Sequence, residues 1–322
     1  MITSQPKRTA ALALAALFAV AACSGSASPT AGSALSGTVS IDGSSTVFPI
    51  TQAVAEEFQI ANPGVQVPVA FSGTGGGFKK FCIGETDLNN ASRPIKEADE
   101  GEGVACESNG IEWIQLQVAV DGLTVVVNPN NDFATCLTVS ELAAIYGPDS
   151  PENLLWSEVR SGFPAEKVER YMPGADSGTF DYFTEEINGE TDAATQFATQ
   201  SEDDNTLVTG VAGSTFAIGF FGYAYYVENA DKLAALAIDA EQGGGCVEPT
   251  DPTINDNSYS PLSRPLFIYP DVAKAKTRAE LKAFVDFYLD NAAVLASEVG
   301  YVALTEAALQ AQKDAWAAAV GG

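Results

Sequence analysis

Three times along this chain a β-prone run passes directly into a short loop of serine, threonine and glycine, and a helix-forming segment follows at once. The first unit is Thr38 to Ile41, the loop Asp42-Gly43-Ser44-Ser45-Thr46, and a helix from Pro49 to about Ile60. The second is Val65 to Phe71, the loop Ser72-Gly73-Thr74-Gly75-Gly76-Gly77, and a helix containing Phe78 and Phe81. The third is Lys167 to Met172, the loop Pro173 to Thr179, and a helix with Phe180, Phe183 and Ile187. Strands that alternate with helices belong to the α/β class, since parallel strands need a crossover that a helix supplies. Local signals agree. Pro49 suits a first helical turn, and Asn62-Pro63-Gly64 stops the helix that Val54 and Phe58 mark one turn apart. Thr138-Val139-Ser140-Glu141 reads as a capping box for a helix Leu142 to Tyr146, ended by Gly147. Ile114 to Val127, interrupted by Asp121-Gly122, and Pro261 to Ile268 have the length and β-propensity of strands crossing between two lobes. The tail from Thr277 to Ala319 reads as amphipathic helix, with Leu281, Phe284, Val285 and Tyr288 on one face. No internal repeat is visible.

The three loops share one chemistry. Unpaired amides at a helix N-terminus carry roughly half a positive charge and bind anions without any cation. Glycine lets the backbone approach closely, and each Ser or Thr adds a donor. Gly43 to Thr46, Ser72 to Gly76 and Asp176 to Thr179, converging, would enclose a small oxyanion. The glycine-rich loop is not a P-loop, because Lys79 and Lys80 follow Phe78 and no Gly-Lys-Ser/Thr occurs. Arg93, in Ala91-Ser92-Arg93-Pro94-Ile95, offers a guanidinium to clamp an oxyanion; the competing reading is a surface pair with Glu97.

Composition then narrows the chemistry. The chain of 322 residues has 16 Lys+Arg against 42 Asp+Glu, a net charge of −26, and no histidine. That balance argues against nucleic acid as a partner, since phosphate backbones are bound by clustered cations. Absence of histidine excludes a Ser-His-Asp or Cys-His triad and a His-ligated zinc site. No catalytic set, metal site or cofactor is expected. A hydrophobic content of 46% still provides for a true core.

The N-terminus reads as an address. Lys7 and Arg8 precede an apolar run from Ala10 to Ala22, and thirteen residues are too few to span a bilayer, which takes about 20. Residues 1–22 fit a secretory signal peptide, and Val20-Ala21-Ala22-Cys23 resembles a bacterial lipobox in which Cys23 is lipidated. A Ser/Gly/Ala linker, 23–37, follows. Cys82, Cys106, Cys136 and Cys246 remain; four cysteines allow three pairings, and no Cys-x-x-Cys spacing suggests a redox or zinc site. In an exported chain disulfides are expected, with Cys82–Cys106 closing a local loop and Cys136–Cys246 bracketing a central segment.

Several stretches resemble the phosphate-binding protein of bacterial phosphate ABC transporters (PstS type). They are Asp42 to Ile50, Ser72 to Ile95, Gly174 to Phe183, Ala217 to Tyr223, Pro261 to Leu266 and Gly300-Tyr301-Val302, in order over nearly the whole chain. The resemblance implies a type II periplasmic-binding-protein fold, α/β, with two lobes, a ligand cleft and two crossover strands. It places the first lobe at 38–121, the second at 122–258 and the return to the first at 259–322. It implies a monomer, lipid-anchored at the cell surface or in the periplasm, that binds inorganic phosphate and hands it to a membrane permease without catalysing a reaction. By position Ser45, Thr46, the Val47 amide, Ser72 and Thr74 resemble the first-lobe contacts, and Ser177, the Gly178 amide and Thr179 those of the second. The chain departs from some members at Pro173, where they carry an arginine, and at Arg93, where they carry an aspartate. Arg93 is therefore expected to supply the clamping cation. Asp176 is expected to accept the proton of hydrogen phosphate, with Asp42 as the fallback, so that sulfate, which has no proton to donate, is refused. Competing readings are a binding protein for sulfate or molybdate, an exported phosphatase-like hydrolase, and a structural protein of the cell envelope.

Overall fold

A computed structural model describes residues 35–97, 101–175, 177–201 and 203–321. The leader, Cys23 and Asp176 lie outside the described residues, as does all but the end of the linker. Residues 35–322 fold as one unit. The linker ends sooner than its composition suggests: Gly37 and Thr38 already pair in parallel with Val65 and Gln66.

The main sheet runs, from edge to edge, through Ile41–Gly43, Leu88–Ala91, Ser263–Pro270, Leu116–Val127, Ala217–Gly222, Glu169–Pro173 and Thr199–Ser201. Ala234–Ala235 adds a short antiparallel stretch to the long strand. Pairing is parallel near both edges and antiparallel around Ser263–Pro270 and Leu116–Val127, the two strands expected to cross. Leu116–Val127 is continuous, so Asp121-Gly122 does not interrupt it. What changes there is its neighbour. Leu116 to Gly122 pair with Ser263–Pro270, whereas Leu123 to Val127 pair with Ala217–Gly222.

The two largest apolar clusters lie mostly on either side of that change, although the second also takes in Val120, Leu262 and Leu304. One core packs Val39, Ile41, Val54, Phe58, Val118, Leu266, Phe284 and Tyr288 between the sheet and the helices Phe48–Ala61 and Ala279–Glu298. The other gathers Leu123, Val125, Tyr146, Trp156, Phe180, Phe183 and Phe220 against Val139–Tyr146 and Gly178–Asn188. Each fully buried Phe or Leu in these cores contributes on the order of 1.5–3 kcal/mol. The predicted strand Val65 to Phe71 is shorter than its composition suggests, with only Val65–Gln66 laddered and Val69 bridging Ile41. The tail is two helices, Ala279–Glu298 and Glu306–Val320, with Gly300 at φ +88° between them.

The capping box of Thr138 and Glu141 forms as expected. Both disulfides pair as expected, Cys82 with Cys106 and Cys136 with Cys246. Among the described residues no helix is long and apolar enough to cross a membrane, and no cluster of His, Cys, Asp or Glu could hold a metal ion.

Candidate functional site

All three loops lead into helices, the first and third from strands of the main sheet and the second from the separate two-stranded pair at Val65–Gln66, and two adjoining spaces open there. The larger, about 480 Å³, is lined on one wall by Ser44 to Thr46, Gly73 to Gly75 and Ser92, Arg93 and Arg264. Its other wall is the helix Gly178–Asn188, through Asp181, Tyr182, Glu185 and Glu186. The second space, about 410 Å³, shares Ser45, Thr46 and Asp181 with the first and reaches Gly178 and Thr179. Thr46 thus faces Thr74 and Arg93 in one space and the N-terminus of the Gly178 helix in the other.

The first wall is cross-braced. Ser72 N donates to Gly43 O at 3.0 Å, which ties the glycine-rich loop to the first loop. Asp42, buried beneath both, accepts from Gly43 N at 2.7 Å, from Ser72 Oγ at 2.8 Å and from Lys80 Nζ. Burial pushes the Asp42 carboxyl up, but the hydrogen bonds from Lys80, Ser72 and Gly43 outweigh it and hold the group below the usual carboxylate range. Glycine is required at two places. Gly73 sits at φ +76°, and a Cβ on Gly77 would lie 2.4 Å from Gly43 Cα, so the helix Thr74–Phe81 can seat itself against the strand end. Thr74 Oγ1 accepts from Ser92 N at 3.2 Å and lies 3.1 Å from Ser92 Oγ.

Arg93 lines the larger space and pairs with Glu102, Nη2 to Oε1 at 2.7 Å, rather than with Glu97. Glu102 also accepts from Lys96 N at 3.0 Å. Burial raises the Glu102 carboxyl, and the hydrogen bonds from Arg93 and Lys96 more than offset it, so the group stays ionised. Glu102 opens the helix Glu102–Ser108, which the Cys82–Cys106 disulfide fastens to the end of the Thr74 helix.

Two expected contacts have hydroxyls engaged within the protein. The Ser72 hydroxyl is spent on Asp42, and Ser177 caps its own helix, Oγ accepting from Thr179 N at 3.3 Å. Val47 is buried at the cap of the helix Phe48–Ala61, where only its backbone could serve. Asp42, the fallback acceptor, has its oxygens engaged by Gly43 N, Ser72 Oγ and Lys80 Nζ.

Two residues of the site went unread in the sequence. Arg264 donates from Nη2 to Thr46 Oγ1 at 2.8 Å, binds Asp121 Oδ2 from Nε and Nη2 at 3.2 Å each, and lies 3.6 Å above the Tyr182 ring. Its available signal was a cation and an acid, Arg264 and Asp121, each lodged in a strand otherwise rich in apolar residues. Asp181 faces both spaces, and burial, with Asp192 and Glu185 nearby, pushes its carboxyl up. The arrangement offers hydroxyls, helix-end amides and guanidinium groups to a small anion.

Known proteins share this architecture. The PBP superfamily domain matches residues 28–292. Protein SphX of Synechocystis sp. (strain PCC 6803) is 46% identical over 271 residues, 84% of this chain and 79% of its own. The phosphate-binding protein PstS of Staphylococcus saprophyticus is 38% identical over 292 residues, covering 91% of this chain and 88% of that protein. A crystal structure from Planctomyces limnophilus DSM 3776, of a "possible phosphate binding protein", is 49% identical with a TM-score of 0.84, over 89% of this chain and 99% of that one. Sheet order, paired cores and these matches agree on the type II periplasmic-binding-protein fold, and the chain belongs to the PstS-type family of that superfamily.

Proposed function

We propose that this protein captures inorganic phosphate outside the cytoplasm and delivers it to an ABC-type membrane permease, without catalysing a reaction. The observation that carries this reading is the shared crevice, in which Thr46 stands between Thr74 and Arg93 on one side and the Gly178–Thr179 helix end on the other. A tetrahedral dianion suits it. Ser45, Thr46, the Val47 amide, Thr74 and Arg93 would hold phosphate from the first wall, and the Gly178 amide and Thr179 from the second. Ser72 and Ser177 would serve by fixing those loops, and Asp176 would take the phosphate proton. Distant carboxylates do not forbid this, since salt screens exposed charges beyond about 10 Å.

Phosphate would settle first on the braced wall, and closure about the two crossing strands would bring the Gly178 helix down on it. Lobes at 38–121 with 259–322, and at 122–258, fit the change of neighbour at Asp121-Gly122. The closed face is then what a permease can read, because only contacts that differ between the states report occupancy. Cys23 would anchor a monomer to the membrane by its lipid.

Titration calorimetry with phosphate, sulfate and molybdate on protein stripped of retained anion tests the reading. Tight binding of phosphate with sulfate and molybdate far weaker is expected. Equal affinities, or none for phosphate, would overturn it.

A further inference from the structure

We infer that Arg264 is a positioning residue that orients the Thr46 hydroxyl as a donor to the bound anion. The inference rests on the phosphate reading above. A threonine hydroxyl has one hydrogen and two lone pairs, while a guanidinium has donors only. Thr46 Oγ1 accepts from Arg264 Nη2 at 2.8 Å, so its own hydrogen cannot return along that line. It is left for the other side of the oxygen, and Thr46, otherwise buried, has its remaining exposure in the two spaces of the cleft. Without the arginine the hydroxyl could rotate and present a lone pair, which repels an anion.

The guanidinium is itself held from two directions. Arg264 and Asp121 are register partners on the two antiparallel crossing strands, and Asp121 Oδ2 takes both Nε and Nη2. Tyr182, from the Gly178 helix of the opposite wall, lies against its face at 3.6 Å. The carbonyl of Thr46 is fixed separately, by the Tyr301 hydroxyl. The side chain that sets the Thr46 hydroxyl is thus anchored on the crossing strands, away from the flexible part of a loop.

The test is a double-mutant cycle read by calorimetric titration with inorganic phosphate. Thr46→Val should weaken phosphate binding by about tenfold or more in the otherwise unchanged protein, as for a lost bond to a charged group. Arg264→Met should weaken it as well, partly through its charge. The deciding quantity is the cost of Thr46→Val measured in Arg264→Met protein, which should fall to about twofold or less, because the hydroxyl is no longer aimed. Thr46→Ser, which keeps the hydroxyl, should retain the wild-type dependence on Arg264. Arg264→Met leaves Asp121 without its counter-ion, so the cycle is repeated on Arg264→Met/Asp121→Asn protein, which keeps the comparison readable if the single variant does not fold. An undiminished cost of Thr46→Val in these backgrounds would overturn the inference while leaving phosphate capture intact. Wild-type protein that binds no phosphate would overturn both.

Discussion

The two walls of the proposed anion cleft differ in construction. On the first, almost every donor is held by a second residue: Thr74 by Ser92, Arg93 by Glu102, Thr46 by Arg264 and Tyr301, and the glycine-rich loop by Asp42 with Lys80. On the second, one helix supplies its N-terminal amides with Ser177 as cap, and the same helix carries Asp181, Glu185 and Glu186 into the space. A braced wall has lost its freedom during folding and gives none up on binding, which favours affinity. The other wall, built on a helix dipole and bordered by acids, binds well only when an anion already lies opposite. On the phosphate reading proposed above, that difference would give capture to the first wall and completion to the second.

The largest effects that separate the walls come from the disulfides. Opening Cys136–Cys246, which spans 110 residues and lines neither space, should cost about 4–5 kcal/mol of stability by loop-closure arithmetic, with phosphate affinity little changed. Opening Cys82–Cys106, which spans 24, should cost about 3 kcal/mol and also weaken phosphate, because it fastens the helix of Glu102 and hence Arg93. Paired Cys→Ala variants, compared by denaturant unfolding and calorimetry, check both; equal losses of affinity would erase the distinction between the walls. Next comes Arg93→Ala, expected to weaken phosphate by roughly 10–100-fold, against a smaller loss for Thr179→Ala on the second wall. The reverse order would make the helix end the capturing side.

What the sequence disclosed, and what it hid, follows from how local each interaction is. The anion loops were readable because loop and helix are consecutive, and the Thr138 cap and the first-turn Pro49 act within four residues. Both crossing strands were readable from β-propensity and length. The change of neighbour at Asp121-Gly122 looked like an interruption, since sequence shows a polar dipeptide but not which strand lies beside it. Arg264 and Asp121 stand 143 residues apart and meet only through strand register, so each left a lone charge in an apolar strand as its trace, with nothing local to pair the two. Ser72 carried the right chemistry for a ligand, yet its hydroxyl donates to the buried Asp42, which a lysine from the following helix also binds. Arg93 likewise had Glu97 as its nearest acid in sequence, but the helix that starts at Glu102 delivers a different partner.

Acid sensitivity offers the finest distinction, because the two walls carry carboxyls shifted in opposite directions. Asp42 is held below its ordinary value, so its contribution to stability is present above the usual carboxylate range and is lost as pH falls through its folded pKa. Asp42→Asn should therefore lower stability by about 1–2 kcal/mol at pH 7 and flatten the acid limb of the stability profile. Asp181 is raised by burial and by its acidic neighbours, so its favourable contribution is present at low pH and is lost as pH climbs through its folded pKa. Above that folded pKa it is an ionised group in an unfavourable place. Asp181→Asn should raise Tm slightly at pH 7, by about 1–3 °C once solvent screening of a half-exposed group is allowed for, and tighten phosphate by roughly twofold to fivefold. Thermal unfolding and calorimetry between pH 4 and pH 8, on the order of five points, separate these signs. If Asp181→Asn instead narrows the preference for phosphate over sulfate, Asp181 is the group that accepts the phosphate proton, and the acidic border of the second wall selects the ligand as well as repelling it.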